Sequence, residues 1–245
     1  MIIIGIKELC HIKKEEIVAQ AGVLSPFYCE YVLSPVKEKE SAERLLHSAA
    51  RLAVVEMLSR FCKQRFTELP SFSLKNGGKP YFEGQGDVYF SFSHSSRLAV
   101  CAVSIPDVSE AFGEVKLSLA PTDEGEAMVR LRCSEVKGEP LVLALDGTAQ
   151  ECIGVDIQES HQGELCYNHE KVAQRFFDAS MLARLENDKS ESNFTSLWCE
   201  LESLAKMTGE GVAAFDRKTK AGAKTYTVRI TDTDGNEYFL ALSYR

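Results

Sequence analysis

The sequence predicts a mixed α/β fold of the α+β kind, and three observations carry that reading. Helical periodicity is strongest in two long stretches, 41–66 and 194–211, and strand-like runs flank both. Two pairs of strands are joined by short turns, at His94–Arg97 and around Asp234-Gly235. With 44% hydrophobic residues in 245, the chain can bury a substantial core, as one large domain or two small ones.

Taken in order, the opening MIIIGIKEL has no basic leader and only a short apolar run, so it reads as a strand and not as a signal peptide or membrane span. Lys14 to Ala21 reads as a short helix, and Ser25-Pro26 and Ser34-Pro35 mark turns or helix starts. The helix over 41–66 has Leu45, Leu46, Ala49, Leu52, Ala53, Val55, Met57 and Leu58 at helical spacing. LKNGGKP, 74–80, is a glycine turn that places Lys79 beside backbone able to approach a ligand closely. DVYFSFSHSSRLAVCAVSI, 87–105, is two strands whose turn gathers Ser93, His94, Ser95 and Arg97, a composition suited to phosphate. No GxSxG elbow surrounds these serines.

Alternation in EVKLSL, MVRLRC and LVLAL predicts two or three extra strands within 106–150. IGVDIQ, 153–158, is a short strand interrupted by Asp156, either a strand with one solvent face or a buried carboxylate in need of a partner or a metal. A helix over 170–177 follows, with Asp178 and Ser180 as candidate caps before 181–185, and 186–193 form a polar linker. The helix FTSLWCELESLAKMTGEG, 194–211, puts Trp198, Glu202 and Lys206 at successive i, i+4 steps beside a Phe194, Leu197, Leu201, Leu204 stripe. Glu202 and Lys206 in that order also make an ordinary exposed ion pair. Strands over 224–231 and 237–244 close the chain.

The net charge of −8 argues against generic nucleic-acid binding, but it is unevenly placed. Residues 107–151 carry ten acids against four bases, whereas 37–66 carry seven bases against four acids, a place for an anionic ligand. The eight cysteines lack zinc-like spacing and suggest reduced thiols in a cytoplasmic protein.

Four ordered motifs together resemble the surfactin-synthetase-type 4′-phosphopantetheinyl transferases: Gly78-Lys79-Pro80, FSFSHS from Phe90 to Ser95, Gly154-Val155-Asp156-Ile157-Gln158, and Trp198 to Lys206 with Gly209. The resemblance implies two similar α/β lobes in a pseudo-twofold arrangement, 1–105 and 151–245, with coenzyme A between them and 106–150 as an acidic β-rich insertion. It implies transfer of the 4′-phosphopantetheine arm of coenzyme A to a serine of an acyl or peptidyl carrier protein, with release of 3′,5′-ADP, in fatty acid or secondary metabolite biosynthesis. Asp156, Glu202 and Gln158 are then the Mg²⁺ ligands, Glu202 the base and Lys206 the phosphate contact. Lys79, Ser93, His94 and Arg51, with Lys37 or Lys39, hold coenzyme A. The expected protein is a cytoplasmic monomer without nucleic-acid or membrane partners.

Gln158 stands where that family usually has glutamate, and Leu201 where it has lysine. These departures leave a second reading open, a catalytically impaired homologue that binds coenzyme A or a carrier protein without turnover.

Overall fold

A computed structural model describes residues 1–9, 13–38, 41–75, 78–106, 131–132, 140–145, 149, 152–214 and 222–245. Strand β1 (Ile2–Glu8) is followed by helices α1 (Lys14–Ala21), α2 (Pro26–Glu38) and α3 (Ala42–Cys62). A small hairpin, β2 (Phe72–Leu74) and β3 (Pro80–Phe82), precedes the longer pair β4 (Tyr89–Ser95) and β5 (Leu98–Ser104). After β6 (Leu131–Arg132) and β7 (Leu141–Leu145) come β8 (Ile153–Glu159), α4 (Tyr167–Phe176), α5 (Ala179–Asn187), α6 (Glu191–Thr208), β9 (Lys224–Thr231) and β10 (Glu237–Tyr244).

The mixed α/β class is as the sequence predicts, and the sheets reveal an internal repeat. Strand, three helices and a strand pair occur twice, as β1, α1 to α3, β4 and β5, then as β8, α4 to α6, β9 and β10. Each half builds the same order, β4-β5-β1 in one sheet and β9-β10-β8 in the other. The intervening segment contributes to both sheets: β7 pairs antiparallel with β1, and β6 pairs parallel with β9. The other strands expected within 106–150 lie outside the described residues.

Period-2 alternation in the strands produces four layers, with α3 outside the first sheet and α6 outside the second. Ile2, Ile4 and Ile6 of β1 and Leu98 and Val100 of β5 face Ile153, Val155, Ile157, Leu240 and Leu242 of the second sheet across one aliphatic core. Ile3, Cys101 and Val103 point the other way and bury α3 through Ala53, Met57 and Phe61. Each fully buried aliphatic here contributes about 1.5–3 kcal/mol of transfer free energy. Cys62, Cys101, Cys152 and Cys199 are buried free thiols, and among the described residues no helix is long and apolar enough to cross a membrane.

Helix boundaries follow capping chemistry. Ser41 accepts from Arg44 N at 3.2 Å and Ser190 from Asn193 N at 3.1 Å, so α6 begins inside what the sequence reading takes as a linker. Gly209, at φ 81°, ends α6 in the left-handed conformation that glycine takes without steric cost.

Ser34-Pro35 is a correction, because α2 runs straight through Pro35. A proline leaves the carbonyl four residues earlier without its helical donor. That carbonyl belongs to Tyr31, and it accepts from Arg51 Nη1 at 2.8 Å and from Ser34 Oγ at 3.3 Å. A guanidinium from α3 thus replaces the missing amide and keeps the helix continuous.

Candidate active site

Two packing facts bring α6 against β8. Gly154 leaves no room for a side chain, since a Cβ there would lie 2.1 Å from the Ser203 carbonyl oxygen and 2.3 Å from Met207 N. Buried polar contacts fix the helix on β10, with Ser203 and Ser243 hydroxyls 2.7 Å apart and Cys199 Sγ donating to Phe239 O at 3.2 Å. On its outer side Glu200 takes two bonds from Arg184, at 2.8 and 2.9 Å. The face carrying Glu202 and Lys206 is thereby set over Asp156.

Strand β4 approaches from the other sheet, and its serines at every second position stitch it to β8. Ser91 Oγ accepts from Val155 N at 3.0 Å and Ser95 Oγ from Glu159 N at 3.0 Å. Between them Ser93 Oγ donates to Asp156 Oδ1 at 2.7 Å. The polar turn expected to gather Ser93, His94, Ser95 and Arg97 is instead divided by strand alternation. Arg97 pairs with Asp234 and, at 3.7 Å, with Glu8, while His94 turns toward α3 and meets the His47 ring edge-on at 4.9 Å.

At the centre, Asp156 is fully buried. Lys206 Nζ donates to its Oδ1 at 2.5 Å and to Ser93 Oγ at 2.8 Å. Gln158 Nε2 bridges the two acids, donating to Asp156 Oδ2 and Glu202 Oε2, both at 3.0 Å. Burial first, and then the Asp156 charge, push the Glu202 carboxyl up to about 7, with Lys206 acting in the opposite sense. Two carboxyls thus share one ammonium, and the pair holds more negative charge than its surroundings balance.

Glu202 and Lys206 open on a cleft of about 320 Å³ whose other walls include Lys79, Ser91, Phe92 and Gly209. Lys79 Nζ donates to the Met207 carbonyl in the last turn of α6, and burial lowers its ammonium to about 8. The His94 side chain keeps an exposed edge, yet crowding against the protein first, and then the charges of His47, Lys206 and Arg51, hold its imidazole below the ordinary value.

The structure therefore brings together Asp156, Gln158, Glu202, Lys206 and Ser93, with Lys79 lining the same cleft. Arg51 is engaged with Tyr31 and with Ser34 Oγ at 2.7 Å, and Lys37 is exposed and paired with Glu30. Lys39 lies outside the described residues. His47, which helical spacing places with Arg44 and Arg51 on related turns, is the neighbour that His94 meets. Leu201 is 3% exposed and packs among Phe177, Phe194 and Leu197, so apolar burial occupies the position where a lysine is expected.

Residues 152–242 match the model of the 4′-phosphopantetheinyl transferase superfamily. A curated 4′-phosphopantetheinyl transferase from Bacillus subtilis is 24% identical over 186 residues, covering 72% of this chain and 61% of that protein. The chain thus spans about 61% of the length of the curated relative it matches. Both similarities support the phosphopantetheinyl transferase family.

Proposed function

We propose that this protein is a Mg²⁺-dependent 4′-phosphopantetheinyl transferase of the surfactin-synthetase type, which moves the phosphopantetheine arm of coenzyme A to a serine of an acyl or peptidyl carrier protein and releases 3′,5′-ADP. The two-lobed repeat within one chain supports the surfactin-type assignment. The observation that carries the activity is the cluster of buried Asp156 with half-buried Gln158, Glu202 and Lys206, opening on a cleft walled by the Gly78-Lys79-Pro80 loop.

The residues fit the metal. Asp156 and Glu202 are hard oxygen donors held next to each other, and burial, followed by the Asp156 charge, raises the Glu202 carboxyl, a cost that a divalent cation between them would relieve. Gln158 bridges them through its amide, and rotation of that amide would present oxygen in place of nitrogen. When bound, Mg²⁺ would supply charge neutralisation on the pyrophosphate of coenzyme A.

In this chain Lys206 pairs with Asp156 and offers an ammonium to the phosphates at the cleft. Lys79 adds a second ammonium from the cleft wall, Ser93 is bonded to Asp156 and Lys206, and His94 follows it on β4 as the proposed further contact to coenzyme A. Glu202, poised near neutral pH, accepts the proton of the carrier serine. The serine oxygen forms a bond to the phosphorus bearing pantetheine, the bond from that phosphorus to the bridging oxygen breaks, and 3′,5′-ADP leaves with the electron pair. Residues 1–105, 106–150 and 151–245 then serve as first lobe, insertion and metal-bearing lobe.

The test is intact-mass analysis of apo carrier proteins incubated with coenzyme A and Mg²⁺. A gain of one phosphopantetheine supports the reading. No gain on any carrier that a reference transferase modifies would overturn it, and coenzyme A binding without transfer would favour the impaired homologue that Gln158 and Leu201 raise.

A further inference from the structure

At the far end of α6 lies a second cluster that the transfer reaction does not use. Cys166, His169 and Glu191 place a sulfur, an imidazole nitrogen and a carboxylate oxygen all within 4.8 Å of one another. Eleven residues of helix separate Glu191 from Glu202, about 16 Å, so this cluster and the transfer site are distinct. We infer that Cys166, His169 and Glu191 form a Zn²⁺ site that staples the start of α4 to the start of α6.

The donor set and its rigidity carry the inference. Sulfur, imidazole and carboxylate together suit a borderline-soft ion, and three protein ligands with a solvent position is a common zinc arrangement. Cys166 and His169 stand three residues apart, on the cap and first turn of α4, so they face the same way. Glu191 is 9% exposed and comes from the first turn of α6. The two segments are clamped by an antiparallel bridge between Glu164 and Ser190, by Leu165 N to Lys189 O at 3.0 Å, and by Glu191 N to Gly163 O at 3.1 Å.

The His169 ring is stacked on Phe194 with centroids 4.3 Å apart and planes 6° apart, which fixes its orientation. Without an ion, Glu191 accepts from Cys166 N at 2.6 Å and meets His169 Nδ1 at 2.5 Å. Tetrahedral zinc with bonds of about 2.0–2.3 Å needs ligand separations of roughly 3.3–3.8 Å. The 2.5 Å contact between His169 Nδ1 and Glu191 must therefore open by about 1 Å, whereas separations near the 4.8 Å limit close by about 1 Å, a change available to the exposed Cys166 side chain by rotation. On binding, the Cys166 thiol releases one proton to solvent and bonds as thiolate.

Cobalt titration of the full-length protein, with Mg²⁺ in excess to compete at the carboxylates of the transfer site, tests the inference. The expected result is one equivalent of Co²⁺ with a thiolate-to-cobalt charge-transfer band and the visible bands of a tetrahedral site, displaced by Zn²⁺. Cys166→Ser removes the charge-transfer band and His169→Gln weakens uptake by at least about tenfold. Zn²⁺ at a hundredfold excess over its Kd raises the melting temperature by roughly 5 °C in the unsubstituted protein and not in Cys166→Ser. The absence of a charge-transfer band, or its persistence in Cys166→Ser, would overturn the site.

Discussion

Replacing Glu202 by glutamine should make the metal-free protein more stable at pH 8. Burial first, and then the Asp156 charge held beside it by Gln158, drive the Glu202 carboxyl from the ordinary 4.5 to about 7, against the pull of Lys206. That difference corresponds to about 3 kcal/mol of differential interaction. Solvent at the half-buried carboxyl screens it to about 1.5 kcal/mol.

The sign follows from proton counting. Below pH 4.5 the carboxyl is protonated whether the chain is folded or not. Between 4.5 and about 7 only the folded chain keeps the proton, so this group's contribution to stability is lost as pH rises through that window. Glutamine has a similar shape, retains an acceptor for Gln158 and carries no charge. Thermal unfolding in EDTA should place Glu202→Gln about 4 °C above the unsubstituted protein at pH 8 and within about 1 °C of it at pH 5. A variant that is less stable at pH 8, or an offset that does not change with pH, would refute a strained carboxylate pair.

Other outcomes follow from the same geometry. Mg²⁺ added at pH 8 should raise the melting temperature of the unsubstituted protein and leave Glu202→Gln nearly unmoved; equal shifts would place the ion elsewhere. Lys206→Met leaves Asp156 buried without its ammonium and should cost about 2–4 kcal/mol in denaturant unfolding, together with activity. Gly154→Ala drives a methyl into the α6 backbone at the Ser203 carbonyl and should destabilise by about 2–3 kcal/mol, whereas unchanged unfolding would mean that α6 is not seated there. Arg51→Ala leaves the Tyr31 carbonyl with the longer 3.3 Å bond from Ser34 Oγ and should cost about 1 kcal/mol, but distinctly less when Pro35→Ala restores the helical amide. Additive costs in that double-mutant cycle would break the link between Pro35 and Arg51.

Local chemistry was legible in the sequence wherever it was self-contained. Alternation and the Asp234-Gly235 turn locate β9 and β10, and helical spacing with Ser41 locates α3. What was not legible depended on partners distant in the chain. Pro35 reads as a break because its compensation comes from Arg51, sixteen residues away. The serines of β4 read as a phosphate turn because their partners belong to a strand some sixty residues later.

The internal repeat was hidden for a related reason. Gly5 admits α3 at Met57 as Gly154 admits α6 at Met207. Two residues beyond each glycine stands the strand's ion-pair partner to that helix: Lys7 with Glu56 in the first half, Asp156 with Lys206 in the second. The signs are exchanged, so the charged positions do not advertise the correspondence that Ile4-Gly5 and Ile153-Gly154 share. The first half has an ordinary half-buried ion pair, whereas the second buries its acid fully and adds Glu202 and Gln158 around it.

The central claim is that this cluster transfers phosphopantetheine with Glu202 as base. Its most direct test is a parallel measurement of holo-carrier and 3′,5′-ADP formed from coenzyme A and Mg²⁺ by the unsubstituted protein and by Glu202→Gln. Equimolar appearance of both products, reduced at least about a hundredfold by the substitution, is the expected result. Product formation that Glu202→Gln leaves intact, or none from a folded unsubstituted protein that binds coenzyme A, would contradict it.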